Sequence, residues 1–143
     1  MVHFIDATNL ILGRLAVKAA KLALSGEEIV IVNCENAIIS GKKKVILKKF
    51  KEREYRTQPF TGPYRKRMPD HIVRSAIRGM LPHGRWSEGS RGRVALGKVK
   101  CFIGVPDEYK SQKIDSFTNI HVDKLKTQFY TTIGEISQLL RQK

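Results

Sequence analysis

Apolar positions along this chain switch repeatedly between strand-like runs and helical spacing. Val2–Ile5 is a short, mostly apolar run ending at Asp6, which predicts a buried strand feeding a turn. Leu12, Leu15, Ala16, Ala19, Leu22 and Ala23 then recur at helical spacing, and Gly26 supplies the stop. Arg14, Lys18, Lys21 and Ser25 follow on the opposite face, which gives this helix a thin basic stripe. Glu28–Val32 is nearly continuous in β-branched residues, as a strand covered on both faces should be. Strand, helix and strand within about 30 residues make a βαβ unit with a right-handed crossover.

Ser40-Gly41 can cap a second helix from about Lys42 to Arg56, with Val45, Ile46, Leu47 and Phe50 as its apolar positions. Tyr55 to Pro69 reads as a loop punctuated by Pro59, Gly62, Pro63 and Pro69. Pro69-Asp70 opens a third helix carrying Ile72, Val73, Ala76, Ile77 and Met80 on one face, with Arg74, Arg78 and Arg85 nearby. Pro82 ends it. His83–Arg93 is glycine-rich and reads as flexible, with Trp86 as its one bulky apolar residue. Lys98–Val105 alternates and then turns apolar, a third core strand stopped by Pro106. After a strand-like run near Phe129–Thr131, Thr132-Ile133-Gly134-Glu135 matches a capping box before Ile136, Leu139 and Leu140. A last helix of about two turns should follow. No repeat or low-complexity segment interrupts this α/β pattern.

Length fits one domain: 143 residues can bury roughly 68–70% of the unfolded surface. Cys34 and Cys101 stand apart without metal-ligand spacing. A disulfide between them stays open, but the pattern reads as two reduced, partly buried thiols in a cytosolic protein. No apolar run nears the length of about 20 residues that a membrane span needs, and no signal peptide precedes the first strand. Charge changes the picture most. Between Gly41 and Lys100 there are 18 Lys or Arg and 4 acids, so the whole net charge of +14 lies in that stretch while the flanks cancel. Such a concentration repels itself unless a polyanion neutralises it, which points to nucleic acid.

Enzymatic signals are missing by comparison. A dinucleotide fold needs G-x-G-x-x-G after the first strand, whereas Asn9-Leu10-Ile11-Leu12-Gly13-Arg14 offers one glycine in an apolar run. His3, His71, His83 and His121 are scattered without a metal-ligand pair. Asp70-His71 could act as an acid–base pair, but Asp70 is more simply a charge placed at a helix N-terminus. The rival reading is an RNA-modifying or nucleotide-using enzyme on a Rossmann-like sheet. No cofactor, metal or small-molecule substrate is expected.

The basic features are more informative together. Lys42, Lys43, Lys44, Lys48, Lys49, Lys51 and Arg53 span about three helical turns with only Glu52 and Glu54 as acids, which favours phosphate binding over a merely solvated face. Arg56, Arg65, Lys66 and Arg67 lie beside Tyr55, Phe60 and Tyr64, a mixture suited to unpaired or distorted RNA. Tyr55 and Phe60 could instead anchor the loop to the core. Gly79, Gly84, Gly89, Gly92 and Gly97 lie among Arg78, Arg85, Arg91, Arg93, Lys98 and Lys100, where close backbone approach and bidentate Arg contacts suit phosphate. Gly89-Ser90-Arg91-Gly92 matches the GXXG loop of KH domains only formally, and Trp86 could stack on a base or plug a gap. No helix-turn-helix, zinc finger or zipper is visible. Basic elements from several parts of the chain suit folded RNA better than one face of a duplex, whereas a DNA-compacting protein would not distinguish the two.

Specific residues carry a family likeness. Ile5-Asp6-Ala7, Leu12-Gly13-Arg14-Leu15-Ala16, Val30-Ile31-Val32-Asn33-Cys34-Glu35-Asn36-Ala37 and Ser40-Gly41-Lys42-Lys43 resemble the family of large-subunit ribosomal protein thirteen. Arg78-Gly79-Met80-Leu81-Pro82-His83 resembles its Gly-Met-Leu-Pro signature. Gly92-Arg93-Val94-Ala95-Leu96 and Lys98-Val99-Lys100-Cys101-Phe102-Ile103-Gly104 follow in order. The likeness covers about Phe4 to Tyr109. It implies a three-layer α/β/α fold around a mostly parallel sheet of about four strands, Rossmann-like without a nucleotide-binding loop. It also implies no enzymatic activity. The implied role is as a cytoplasmic structural constituent that binds and organises large-subunit ribosomal RNA early in assembly, beside neighbouring ribosomal proteins. Carried over by position, it makes Arg14, Lys18, Lys42 to Lys44, and Arg78 through Arg93 RNA contacts, with Arg74 and His83 in the same basic stretch. The compact spacer between Gly41 and Pro69, and Gly104-Val105-Pro106-Asp107-Glu108-Tyr109 in place of a histidine-rich bacterial stretch, resemble the archaeal branch. The tail after Lys110 is not diagnostic.

Overall fold

A computed structural model describes residues 1–56, 60–62, 64–82, 89–112, 115, 118–125 and 127–142. The chain opens with the expected βαβ unit: β1 (Val2–Asp6), α1 (Leu12–Leu24) and β2 (Glu28–Val32). Gly26, at φ 98°, ends α1 as foreseen. Its amide donates to the Ala23 carbonyl and that of Glu27 to the Leu22 carbonyl, which satisfies two carbonyls that the helix end would orphan. β3 (Ile38–Ser40), α2 (Lys43–Tyr55), α3 (Pro69–Met80), α4 (Arg91–Gly97), β4 (Val99–Cys101), β5 (Tyr130–Thr132) and α5 (Ile133–Arg141) follow.

The α/β class holds, and the strands divide between two sheets. β1, β2 and β4 pair in parallel in the order β1-β2-β4, while β3 and β5 form a separate antiparallel pair. At the outer edge of β1, one residue among those described bridges in parallel: Asp115 donates its amide to the Phe4 carbonyl at 2.7 Å. Ile5, Ile29, Ile31 and Val99 face a buried core shared with Leu15, Ala16, Ala19 and Ala20 of α1, Ile72, Val73 and Ile77 of α3, and Ala95 of α4. Phe4 lies at the register position of Val30, so it faces the other side, where Tyr109 packs at 5.5 Å from both Phe4 and Phe102. A smaller core joins Ile46 of α2 to Ile136 and Leu140 of α5. Thr132 caps α5 by accepting from the Glu135 amide at 3.3 Å, as the capping box requires.

Several expectations give way locally. The third core strand is confined to Val99–Cys101, because the chain turns at Gly104 (φ 67°) and its carbonyl accepts from the Asn33 amide. Ser40-Gly41 does not cap α2; Lys42 holds that position with no side-chain cap. Val45 and Met80 are about half exposed rather than buried. Gly89–Gly92 is no KH-type loop, since Arg91 and Gly92 already belong to α4. The remaining part of the stretch read as flexible, His83–Glu88, lies outside the described residues, and with it Arg85 and Trp86. Cys34 and Cys101 are free thiols, Cys34 fully buried.

Candidate nucleic-acid interface

In a doubly wound fold the ligand crevice lies beyond the carboxyl ends of the strands. Here that crevice is filled by the protein's own groups. Asp6 Oδ1, at the end of β1, accepts from the Thr8 amide at 2.9 Å, the Thr8 hydroxyl at 2.7 Å and the Asn33 amide group at 3.0 Å. Burial works to raise the Asp6 pKa, but these three donors outweigh it and hold the carboxyl below its ordinary value. Both Glu35 oxygens lie 3.1 Å from the Gly104 amide. Leu10 and Ile11 are buried ahead of α1, and the Ile11 amide donates to the Ile120 carbonyl where a phosphate-binding turn would need room. The asparagine at position 9 takes the left-handed turn (φ 58°) that a dinucleotide fold gives to glycine.

The cations lie elsewhere, on exposed elements. Arg14 and Lys18 are exposed on α1, and Arg14 Nη1 reaches the Asn119 carbonyl at 3.5 Å. Lys42, Lys43, Lys44, Lys48, Lys49 and Arg53 are exposed along the start and body of α2, with Arg56 just past its end. Acids that the sequence did not assign as partners meet some of these charges. Lys43 pairs with Glu135 at 2.8 Å, Lys48 approaches Glu52 at 3.9 Å, and Arg67 pairs with Glu54. Lys42, Lys44, Lys49, Lys51, Arg56 and Lys66 make no ion pair with the described residues. Arg91 and Arg93 are exposed on α4, and Lys100 is exposed on β4. Arg74 reaches from α3 to the Leu96 carbonyl of α4 at 3.5 Å. Lys98 is committed to structure instead, donating to the Gly26 carbonyl at 2.8 Å. His83, Arg85 and Trp86 fall outside the described residues.

One place gathers these groups from separate elements. A cleft of about 520 Å³ opens between α2, the 64–67 segment, α3 and α5. Its floor includes Leu12, Ile39, Phe50, Ile72, Ala76 and Leu140. Arg53, Arg65, Lys66, Arg67 and Arg78 line it, together with Tyr64 and, among the described residues, one acid, Glu54, already paired with Arg67. Arg65 Nε donates to the Arg53 carbonyl at 3.2 Å, and the Arg53 guanidinium sits 5.9 Å from the Phe50 ring centre. All six of these residues, Arg53, Tyr64, Arg65, Lys66, Arg67 and Arg78, were candidates from the sequence, and the fold brings Arg78 of α3 to the others. The apolar floor was not legible, because Leu12 and Leu140 come from opposite ends of the chain. Tyr55 and Phe60 are 88% and 94% exposed, so neither anchors the loop to the core.

Among the described residues no group of three or more His, Cys, Asp or Glu could hold a metal, and no helix is long and apolar enough to cross a membrane. Comparison with known proteins agrees with the family likeness. The profile of the family described as "Ribosomal protein L13" matches residues 1–108. The chain is 42% identical over 140 residues to "Large ribosomal subunit protein uL13" of Methanococcoides burtonii, covering 97% of each chain. It is 43% identical to the protein of the same name from Methanosarcina barkeri, again over 97% of each. With that of Sulfurisphaera tokodaii the identity is 36%, over 95% of this chain and 92% of the other. A basic, exposed set of helices on a parallel α/β core whose ligand crevice is internally filled, with these matches along its length, belongs to the ribosomal protein L13 family.

Proposed function

We propose that this protein is a structural constituent of the large ribosomal subunit that binds and organises large-subunit ribosomal RNA early in assembly. It acts in the cytoplasm as one domain, beside neighbouring large-subunit proteins. The observation that carries this reading is the gathering of cations from α2, the 64–67 segment and α3 around one cleft, with further exposed cations on α1 and α4. Phosphate neutralisation relieves the self-repulsion of a segment that holds the whole net charge of the chain. A surface basic on several sides fits a partner that folds around the protein, as structured RNA does and a straight duplex does not. The relatives carry the name of a large ribosomal subunit protein, and the family is not one of enzymes. The site residues of the reading are those mapped above, with Lys98 the weakest contributor because its ammonium is already engaged.

Co-sedimentation is the direct test. After a high-salt wash of ribosomes split into subunits, the protein should remain in the large-subunit fraction. Recovery in the small-subunit fraction or the free pool would refute the reading.

A further inference from the structure

We propose that the cleft between α2, α3 and the 64–67 segment captures a single unstacked RNA nucleotide, its base against the apolar floor beside Tyr64 and its phosphate on Arg65 and Lys66. This deepens, and rests on, the RNA-binding reading above. Phosphate contacts need only cations on a surface. They give no reason for a cleft of about 520 Å³ with an apolar floor beneath them. That size lies within the range of about 300–1,000 Å³ typical of sites that enclose small ligands. An apolar floor and an aromatic wall suit the two faces of a base, and a cationic rim suits the phosphate attached to it.

The aromatic wall is held in place. Tyr64 is 68% exposed, yet its hydroxyl donates to the Phe60 carbonyl at 3.2 Å. Gly62, at φ 72°, lies so close that an added Cβ would sit 3.6 Å from the Tyr64 ring. A ring fixed this way loses little freedom when a base stacks on it. The rim is similarly organised: Arg65 is tied to the Arg53 carbonyl, and Glu54 is occupied by Arg67, so that acid does not confront an incoming phosphate unpaired. The excess of cations over acids selects a polyanion over an apolar or basic peptide. An unstacked base selects a bulge or loop over a regular helix, whose bases stay stacked.

The test uses the full chain and homologous large-subunit ribosomal RNA transcribed in vitro. Ala76→Phe fills the floor without removing a charge. Tyr64→Ala removes the wall at an exposed position whose loss cannot unfold the core. Both should lower affinity about tenfold at fixed salt while leaving the salt dependence unchanged, because no phosphate contact is lost. Ultraviolet cross-linking should join Tyr64 to one unpaired nucleotide. Unchanged affinity in Tyr64→Ala, or cross-links only to paired regions, overturns the base-capture proposal while RNA binding stands. A cleft that serves a protein segment gives the same overturning result, with RNA affinity insensitive to Ala76→Phe. Failure of the wild-type chain to bind the RNA at all would instead refute the underlying function.

Discussion

Asp6→Ala should destabilise the fold by about 2–3 kcal/mol, a value that follows from what Asp6 holds together. Its carboxylate accepts three hydrogen bonds and thereby joins the end of β1 to Asn33, a non-glycine residue in the left-handed region at φ 53°. Hydrogen bonds to a charged group contribute about 1.5–3 kcal/mol each when fully buried. Asp6 is only half-buried, so the Thr8 hydroxyl and the Asn33 amide can turn to water after truncation. The sum therefore reduces to roughly one full bond plus the loosened Asn33 turn. At about 3–4 °C per kcal/mol for a chain of this size, the thermal midpoint should fall by about 6–12 °C at neutral pH. The pH dependence supplies an internal control. The folded pKa of Asp6 is depressed, so its contribution is present above the unfolded value of 3.8 and disappears as pH falls through the folded value. Wild type and Asp6→Ala should converge in acid. Differential scanning calorimetry across that range decides the matter. A shift below about 2 °C at neutral pH, or a gap that persists in acid, would show that the network holds nothing together.

Other consequences can be checked separately. His3 lies between Asp115 at 2.7 Å and Glu27 at 2.8 Å; the Asp115 bond raises its pKa, burial opposes this, and Glu27 adds to the rise. That stabilisation is complete below the unfolded value of 6.5 and is lost as pH rises through the folded value, so His3→Gln should flatten the alkaline decline of the thermal midpoint. Cys34 has its pKa raised by a hydrogen bond with the Cys101 thiol and by burial, so it should resist alkylation by iodoacetamide until the protein unfolds. Rapid labelling of native Cys34 would contradict this. Replacing Lys44, Lys49 and Lys66 together by alanine should weaken RNA binding and reduce the salt slope by about 3, with the thermal midpoint unchanged. A drop in that midpoint would assign these lysines to the fold instead.

The βαβ start, α3 and α5 were legible because each carries a regular apolar period with a recognisable end: Gly26, Pro69 and the Thr132 capping box. α4 was not, since Gly92 and Gly97 lower helix propensity and read as loop. Packing overrides that propensity: Gly92 and Ala95 are buried where α4 meets α1 and α3, and the small residues permit the approach. β3 was also missed, because three residues show no period and its partner β5 lies at the far end of the chain. The cations of the candidate interface were visible as composition. Their ion partners were not, since Glu135 reaches Lys43 only through the packing of α5 on α2. The cleft has the same origin, assembled from side chains that sequence spacing never brings together.

The central claim is that dispersed cations act jointly on RNA phosphates, and the salt dependence of binding measures that directly. For roughly 6–10 phosphate contacts at a duplex-like site, affinity for large-subunit ribosomal RNA should fall by about 10³–10⁵ between 50 and 200 mM salt. An affinity that barely changes over that range would contradict the account.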